Sequence, residues 1–256
     1  MNKEQLHRYI SDSTGNESNI CQIYAIKGGE TVYDACWHGF TTEDAMNVNS
    51  VTKGVIALLA GIALDKGCIK SVEQKVMEFF SDYSVKRGEK CIDFANKNLF
   101  EPLGLPKRIL HGDSSKEDQF DFFMNKNPRK YEWYADPQDT VTAGWGLCMS
   151  ARDMAVIGEL VLDGGLYKDR RIISEEYLKN MTKPHLKLGE RFGHMNYGYL
   201  WYKPFDDREV YAAIGDSGNI IYANKEENVS VGITGTFKPR IFDRVDFIEQ
   251  TIMAVI

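Results

Sequence analysis

The sequence predicts an α/β protein of the α+β type, an antiparallel sheet flanked by helices within one domain. Three observations carry this. Two β-rich runs, 20–26 and 31–37, meet at Lys27-Gly28-Gly29-Glu30, a hairpin signal. Four further runs rich in β-formers, 197–202, 210–214, 219–223 and 229–234, crowd the last quarter of the chain. Between the groups lies a stretch from Gly54 to Leu64 with no charged residue. It is too long for a strand and apolar on every side, which describes a buried helix.

In chain order, the first eighteen residues are polar, with a short helix before the turn cluster Ser13-Thr14-Gly15-Asn16. The buried helix follows the first hairpin. Asn47 and Asn49 are placed to cap it, and Lys66-Gly67 supplies a cation and a C′ glycine at its end. The run Cys91 to Phe100 is closed by Pro102 and Gly104, whereas 111–133, dense in charges and aromatics, has no clear period and predicts no element. Thr142-Ala143-Gly144-Trp145-Gly146-Leu147 is a tight connection. Ser150-Ala151-Arg152-Asp153 spells a capping box before a helix ended by Gly164-Gly165, and Ser174-Glu175-Glu176 opens another before Pro184. Asn224-Lys225-Glu226-Glu227-Asn228 turns between the last two strands, and Ile241, Val245, Ile248, Ile252 and Val255 form a stripe at helical spacing. The expected layout is a single domain 1–256. Its sheet comes from about 19–40 and 195–236, with a helical part at about 50–180 and a closing helix 241–256.

A chain of 256 residues with 43% hydrophobic residues can bury a sizeable core. Its net charge of −6 argues against a nucleic-acid or anionic-membrane partner. The N-terminus has no apolar signal core, and no apolar run reaches membrane-spanning length. Five cysteines, odd in number and without a Cys-x-x-Cys pair, read as reduced, mostly buried thiols of a cytoplasmic protein. No histidines or carboxylates cluster at metal-ligand spacing, and no glycine loop is built for phosphate. No cofactor is expected.

The chemistry points to Ser50 and Lys53, one helical turn apart and so on one face. Thirteen serines and twenty lysines in 256 residues make about one Ser-x-x-Lys expected by chance, so the letters alone carry no weight. The context does: a lysine at the head of a buried helix loses hydration, which lowers its pKa and suits it to take a proton from the neighbouring hydroxyl. The alternative is a capping serine beside a snorkelling lysine. Trp145, Tyr199 and Trp201 either line a cleft or pack in the core.

With these residues in place, the chain resembles the penicillin-recognising serine hydrolases, which include class C β-lactamases, DD-peptidases, related esterases and 6-aminohexanoate-dimer hydrolases. The resemblance runs through Asn49-Ser50-Val51-Thr52-Lys53, Asn98-Leu99-Phe100-Glu101-Pro102-Leu103-Gly104 and Ala143-Gly144-Trp145-Gly146-Leu147. It continues through Ser150 to Ala155, Tyr197-Gly198-Tyr199-Leu200-Trp201 and the closing strand pair. It implies a β-lactamase/transpeptidase-like fold with Ser50 as the acylated nucleophile and Lys53 as its proton-handling partner. The family's third motif falls on Asp216-Ser217-Gly218, with the backbone N–H groups of Ser50 and Asn219 as the oxyanion hole. The implied substrate is a small-molecule ester, amide or β-lactam, and the expected state is a monomer.

Two departures stand out. The second motif, Tyr-x-Asn or Ser-x-Asn, is absent between Lys53 and Asp216. Tyr83-Ser84-Val85 lacks the asparagine, and Lys90 runs straight into Cys91, as though a lobe were removed at 90/91. The resemblance therefore also accommodates a catalytically inactive binding protein. The second departure is an acid, Asp216, where the family usually carries a cation; it either faces the site or pairs with Arg152 or Lys53. Gly215-Asp216-Ser217-Gly218 also spells the nucleophile signature of trypsin-like proteases, without that family's histidine motif or disulfides.

Overall fold

The computed structural model describes residues 1–74, 89–112 and 115–256. Helix α1 (Lys3–Ser11) is opened by a capping box between Asn2 and Gln5. Strands β1 (Ile20–Lys27) and β2 (Glu30–Cys36) form the first hairpin. The two-residue β3 (Met46–Asn47) leads into α2 (Val51–Asp65). Helix α3 (Cys91–Ala95) continues as a π-turn, Asn96–Phe100. Then come β4 (Ile109–His111), α4 (Lys116–Met124), β5 (Glu132–Tyr134) and β6 (Cys148–Met149), followed by α5 (Ala151–Leu162). The short pair β7 (Leu166–Tyr167) and β8 (Arg170–Arg171) precedes α6 (Glu175–Thr182). Strands β9 (Leu186–Lys187), β10 (Asn196–Tyr197), β11 (Tyr202–Lys203), β12 (Val210–Ile214), β13 (Ile220–Asn224) and β14 (Val229–Gly235) follow, and α7 (Arg244–Phe247) closes the chain with a π-turn to Ile252.

Eight strands make one antiparallel sheet in the order β2-β1-β14-β13-β12-β11-β10-β9. Its first two strands come from the start of the chain and the rest from the end, so the N-terminal hairpin is stitched onto the C-terminal meander by β1 against β14. Side chains of β13 alternate between two cores, as a two-residue period requires. Ile221 joins Val55, Leu58 and Ile157 on the face covered by α2, α5 and α6, whereas Ile220 and Tyr222 join Leu6, Ile10, Ile248 and Ile252 on the other. Each fully buried aliphatic of this kind contributes roughly 1.5–3 kcal/mol.

Glycine sets how closely helix and sheet approach. A Cβ on Gly54 would sit 2.6 Å from Ala213 Cβ, and one on Gly158 would overlap the Ser230 hydroxyl. These contacts bring α2 down onto β12 and α5 onto β13 and β14.

Three sequence expectations change and a fourth is extended. Residues 197–202 are not one strand but the hairpin of β10 and β11, with Tyr197 opposite Tyr202 and Leu200 at φ 61. The unassigned 111–133 contains α4 and the strand β5, which pairs in parallel with β4. At α5 the box carries a second duty: Ser150 Oγ accepts from Asp153 N at 3.1 Å, and the Asp153 carboxylate, facing the Ser150 N–H, also pairs with Arg108 at 2.6 Å. A buried guanidinium without a carboxylate would be costly, which accounts for the shared carboxylate. All five cysteines are free, yet only Cys21 and Cys148 are buried. No helix among the described residues is long and apolar enough to cross a membrane, and no cluster of His, Cys, Asp or Glu there is arranged for a metal.

Candidate active site

Ser50 stands immediately before α2, and its hydroxyl makes no capping bond. That leaves Oγ for Lys53, whose Nζ donates to it at 2.6 Å and to the Gly144 carbonyl at 3.1 Å. Burial pushes the Lys53 ammonium below its ordinary pKa. Desolvation shifts Lys53 toward the neutral amine, and the helix N-terminus beside it favours negative charge at Ser50 Oγ.

Asn47 and Asn49 do not cap the helix as expected; they build the shelf under Ser50. Asn49 takes the left-handed conformation at φ 50, which asparagine tolerates better than most residues. Its Nδ2 donates to the Asp216 carbonyl at 3.1 Å. Asn47 Oδ1 accepts from Asn49 N at 3.0 Å and Gly146 N at 3.1 Å. Asn125, at the end of α4, bonds both ways with the Asn47 backbone at 3.0 Å and donates to the Gly235 carbonyl at 3.2 Å.

Gly215, just past β12, closes the shelf from the sheet side. A Cβ there would overlap the Val48 carbonyl and come within 3.1 Å of both Ser50 N and Val51 N. Only glycine lets this strand reach the Ser50 backbone. A cavity of about 360 Å³ opens above Ser50, Lys53, Gly215 and Asp216. Arg191, Phe192, Arg240 and Phe242 form its rim, and Tyr197 and Tyr202 line it further in.

No family model matches the sequence, and no curated protein matches it. Solved structures do. An octameric penicillin-binding protein homologue from Pyrococcus abyssi superposes with a TM-score of 0.68, at 17% identity, over 100% of this chain and 78% of that one. A class C β-lactamase from Rhodobacter sphaeroides gives 0.65 at 12% identity over 98% and 99%. A family VIII carboxylesterase gives 0.64 at 14% over 99% and 97%. The chain has the penicillin-recognising serine hydrolase fold.

Within that fold, the expected site residues separate into two groups. Ser50, Lys53 and Asp216 come together at the cavity. Ser217, Gly218 and Asn219 lie behind it, buried. Ser217 adopts φ 67 and its Oγ accepts from Lys238 N at 3.1 Å, so it is a turn residue and not a protease nucleophile. Gly218 makes room for Arg244, whose Nε would lie 2.6 Å from an added Cβ. Asn219 is fully buried: its carbonyl accepts from Gly215 N at 2.8 Å, and its side chain ties the Asp216 carbonyl to Gly235 N. Asp216 pairs with neither basic candidate. Arg152 holds Glu43 at 3.2 Å, Lys53 is taken by Ser50 and Gly144, and Asp216 Oδ1 accepts from Ser217 N at 3.1 Å.

The three aromatic candidates do not line the cavity. Trp201 is fully buried and donates to the Gly54 carbonyl at 3.1 Å. Trp145 packs on Tyr134 at 4.8 Å, and Tyr199 stacks on His185 at 4.4 Å. Of the second-motif candidates, Tyr83-Ser84-Val85 falls outside the described residues. Among the described residues, no tyrosine hydroxyl is hydrogen-bonded to Lys53 Nζ. The rim residues were missed by the sequence reading. Arg191 and Phe192 sit in a three-residue 3-10 helix and Arg240 and Phe242 in irregular backbone, and no spacing rule marks them.

Proposed function

We propose that this chain is a serine hydrolase that forms an acyl-enzyme at Ser50 on a small-molecule ester, amide or β-lactam. The observation that carries the reading is the 2.6 Å contact of Lys53 Nζ with Ser50 Oγ, made by a lysine whose burial favours the neutral amine. Ser50 Oγ attacks the substrate carbonyl carbon while Lys53 takes the hydroxyl proton. The tetrahedral oxyanion is met by the Ser50 N–H and by the N–H of Asp216, not that of the buried Asn219. Support for Asp216 comes from Gly215, whose backbone lies against Ser50 N at the cavity edge. Lys53 then returns the proton to the departing oxygen or nitrogen, leaving Ser50 esterified; water completes the cycle by the reverse proton path.

Among the described residues no tyrosine hydroxyl reaches Lys53 Nζ, so we expect acylation to outpace deacylation. A positioned acid–base partner is worth roughly 10²–10⁴-fold. A fluorophosphonate probe should add one mass to the intact protein, mapping to the peptide that contains Ser50, and Ser50→Ala should remain unlabelled. Labelling that persists in Ser50→Ala removes the assignment. An activated ester should give a burst followed by slow release; steady turnover at about 1–10³ s⁻¹ would mean another group supplies the missing proton relay.

A further inference from the structure

The cavity's charges are divided. Among the described residues Asp216, beside Ser50, is the one carboxylate that lines it. Arg191 and Arg240 line the rim, and neither takes part in an ion pair among the described residues, whereas Arg108, Arg152 and Arg208 each hold a carboxylate. Two unpaired guanidinium groups that do not pair with Asp216 leave a cationic rim, with Asp216 and the desolvated Lys53 side by side on the floor. Arg191 is also pre-placed: its guanidinium lies 5.6 Å from the Phe192 ring centre and 5.9 Å from that of Phe242. The two rings meet edge-on at 6.0 Å and form an apolar strip under the cation. A guanidinium held on aromatic faces gives up less freedom when it takes a carboxylate.

From this geometry we infer the substrate class of the Ser50 site: an acyl compound whose anionic group lies remote from the reacting carbonyl, separated from it by an apolar segment. The segment runs along Phe192 and Phe242, the anion is taken by Arg191 and Arg240, and Asp216 repels any anion placed next to the scissile bond. The inference rests on the serine-hydrolase reading, and the experiment separates the two.

Alkylboronic acids bond reversibly to a nucleophilic serine and let their single chain occupy either side of it. Affinities of hexylboronic acid and its chain-end carboxylate analogue are compared in the full-length protein by calorimetry. The carboxylate analogue should bind about five- to tenfold tighter at low salt, and the advantage should shrink as salt is added. The double variant Arg191→Gln/Arg240→Gln should bring the ratio of the two affinities close to one. Carboxyethylboronic acid, whose anion stays near Asp216, should gain nothing over propylboronic acid. Equal affinities in the wild type, or a preference that survives in the double variant, overturn the inference even though Ser50 labels. If no boronic acid binds and the fluorophosphonate leaves Ser50 untouched, the hydrolase reading falls and this one with it.

Discussion

At the floor of the cavity, Ser50 rests on Asn47, Asn49, Asn125 and Gly215, buried residues joined by hydrogen bonds between 3.0 and 3.2 Å or by direct backbone contact. At the rim, Arg191, Arg240 and Phe242 are exposed, and the interactions described for Arg191 and Phe242 are ring contacts alone. The floor tolerates little because its asparagines each bridge several fixed backbone groups and Gly215 leaves no room for a side chain. The rim can change side chains without disturbing the backbone. Chemistry is thus placed where packing enforces geometry, and selectivity where packing does not.

The largest break in this contrast should come from Lys53→Ala, which leaves the floor standing but removes its base. Acylation by an activated ester should fall roughly 10²–10⁴-fold, measured as the burst rate with the melting transition as control. In the wild type that rate should rise with pH, because Lys53 accepts the Ser50 proton only when neutral. The midpoint should lie below the ordinary lysine value of 10.5. A midpoint at or above that value contradicts a desolvated base.

Gly215→Ala tests the floor's spacing. Its methyl would drive into the Val48 carbonyl, and overpacking against backbone should cost about 3 kcal/mol in denaturant unfolding, with acylation lost as Ser50 shifts. Full activity in this variant would show that β12 does not brace the nucleophile. Next, Asn47→Ala strips partners from Asn49 N and Gly146 N, a loss of about 2 kcal/mol for buried donors left unpaired. The smallest effect belongs to the rim. Phe242→Ala, at a residue 36% exposed, should change stability by less than about 0.5 kcal/mol while weakening chain-end carboxylate ligands. A large stability loss there would erase the distinction between floor and rim.

The fold and the Ser50–Lys53 juxtaposition were largely legible in the sequence, whereas the asparagines and Gly215 beneath them were not. An uncharged run from Gly54 to Leu64 can only be buried, and helical geometry alone puts Ser50 and Lys53 on one face. The β-rich runs announced an antiparallel sheet because a two-residue period survives in sequence. What was lost depends on single backbone angles. Leu200 at φ 61 folds 197–202 into a hairpin, and Ser217 at φ 67 turns Ser217 to Asn219 away from the cavity. A motif read as letters carries no such angle. Arg191 and Arg240 lie 49 positions apart, and only the folded sheet brings them to one opening.

The shelf of asparagines also bears on when the protein becomes reactive. The Asn47–Asn125 bonds close a separation of 78 positions, Asn47 to Gly146 closes 99, and Asn49 to Asp216 closes 167. Loops of that span close late, because the entropy of joining distant segments must be met before the contacts reward it. A chain still leaving the ribosome therefore carries Ser50 without its brace until the strand before Gly215 has emerged and docked. Up to that moment the serine is an ordinary alcohol that cannot acylate itself on passing metabolites. Covalent labelling of Ser50, sampled during refolding from denaturant, would then serve as a clock for the last step of folding, lagging the appearance of helix and sheet.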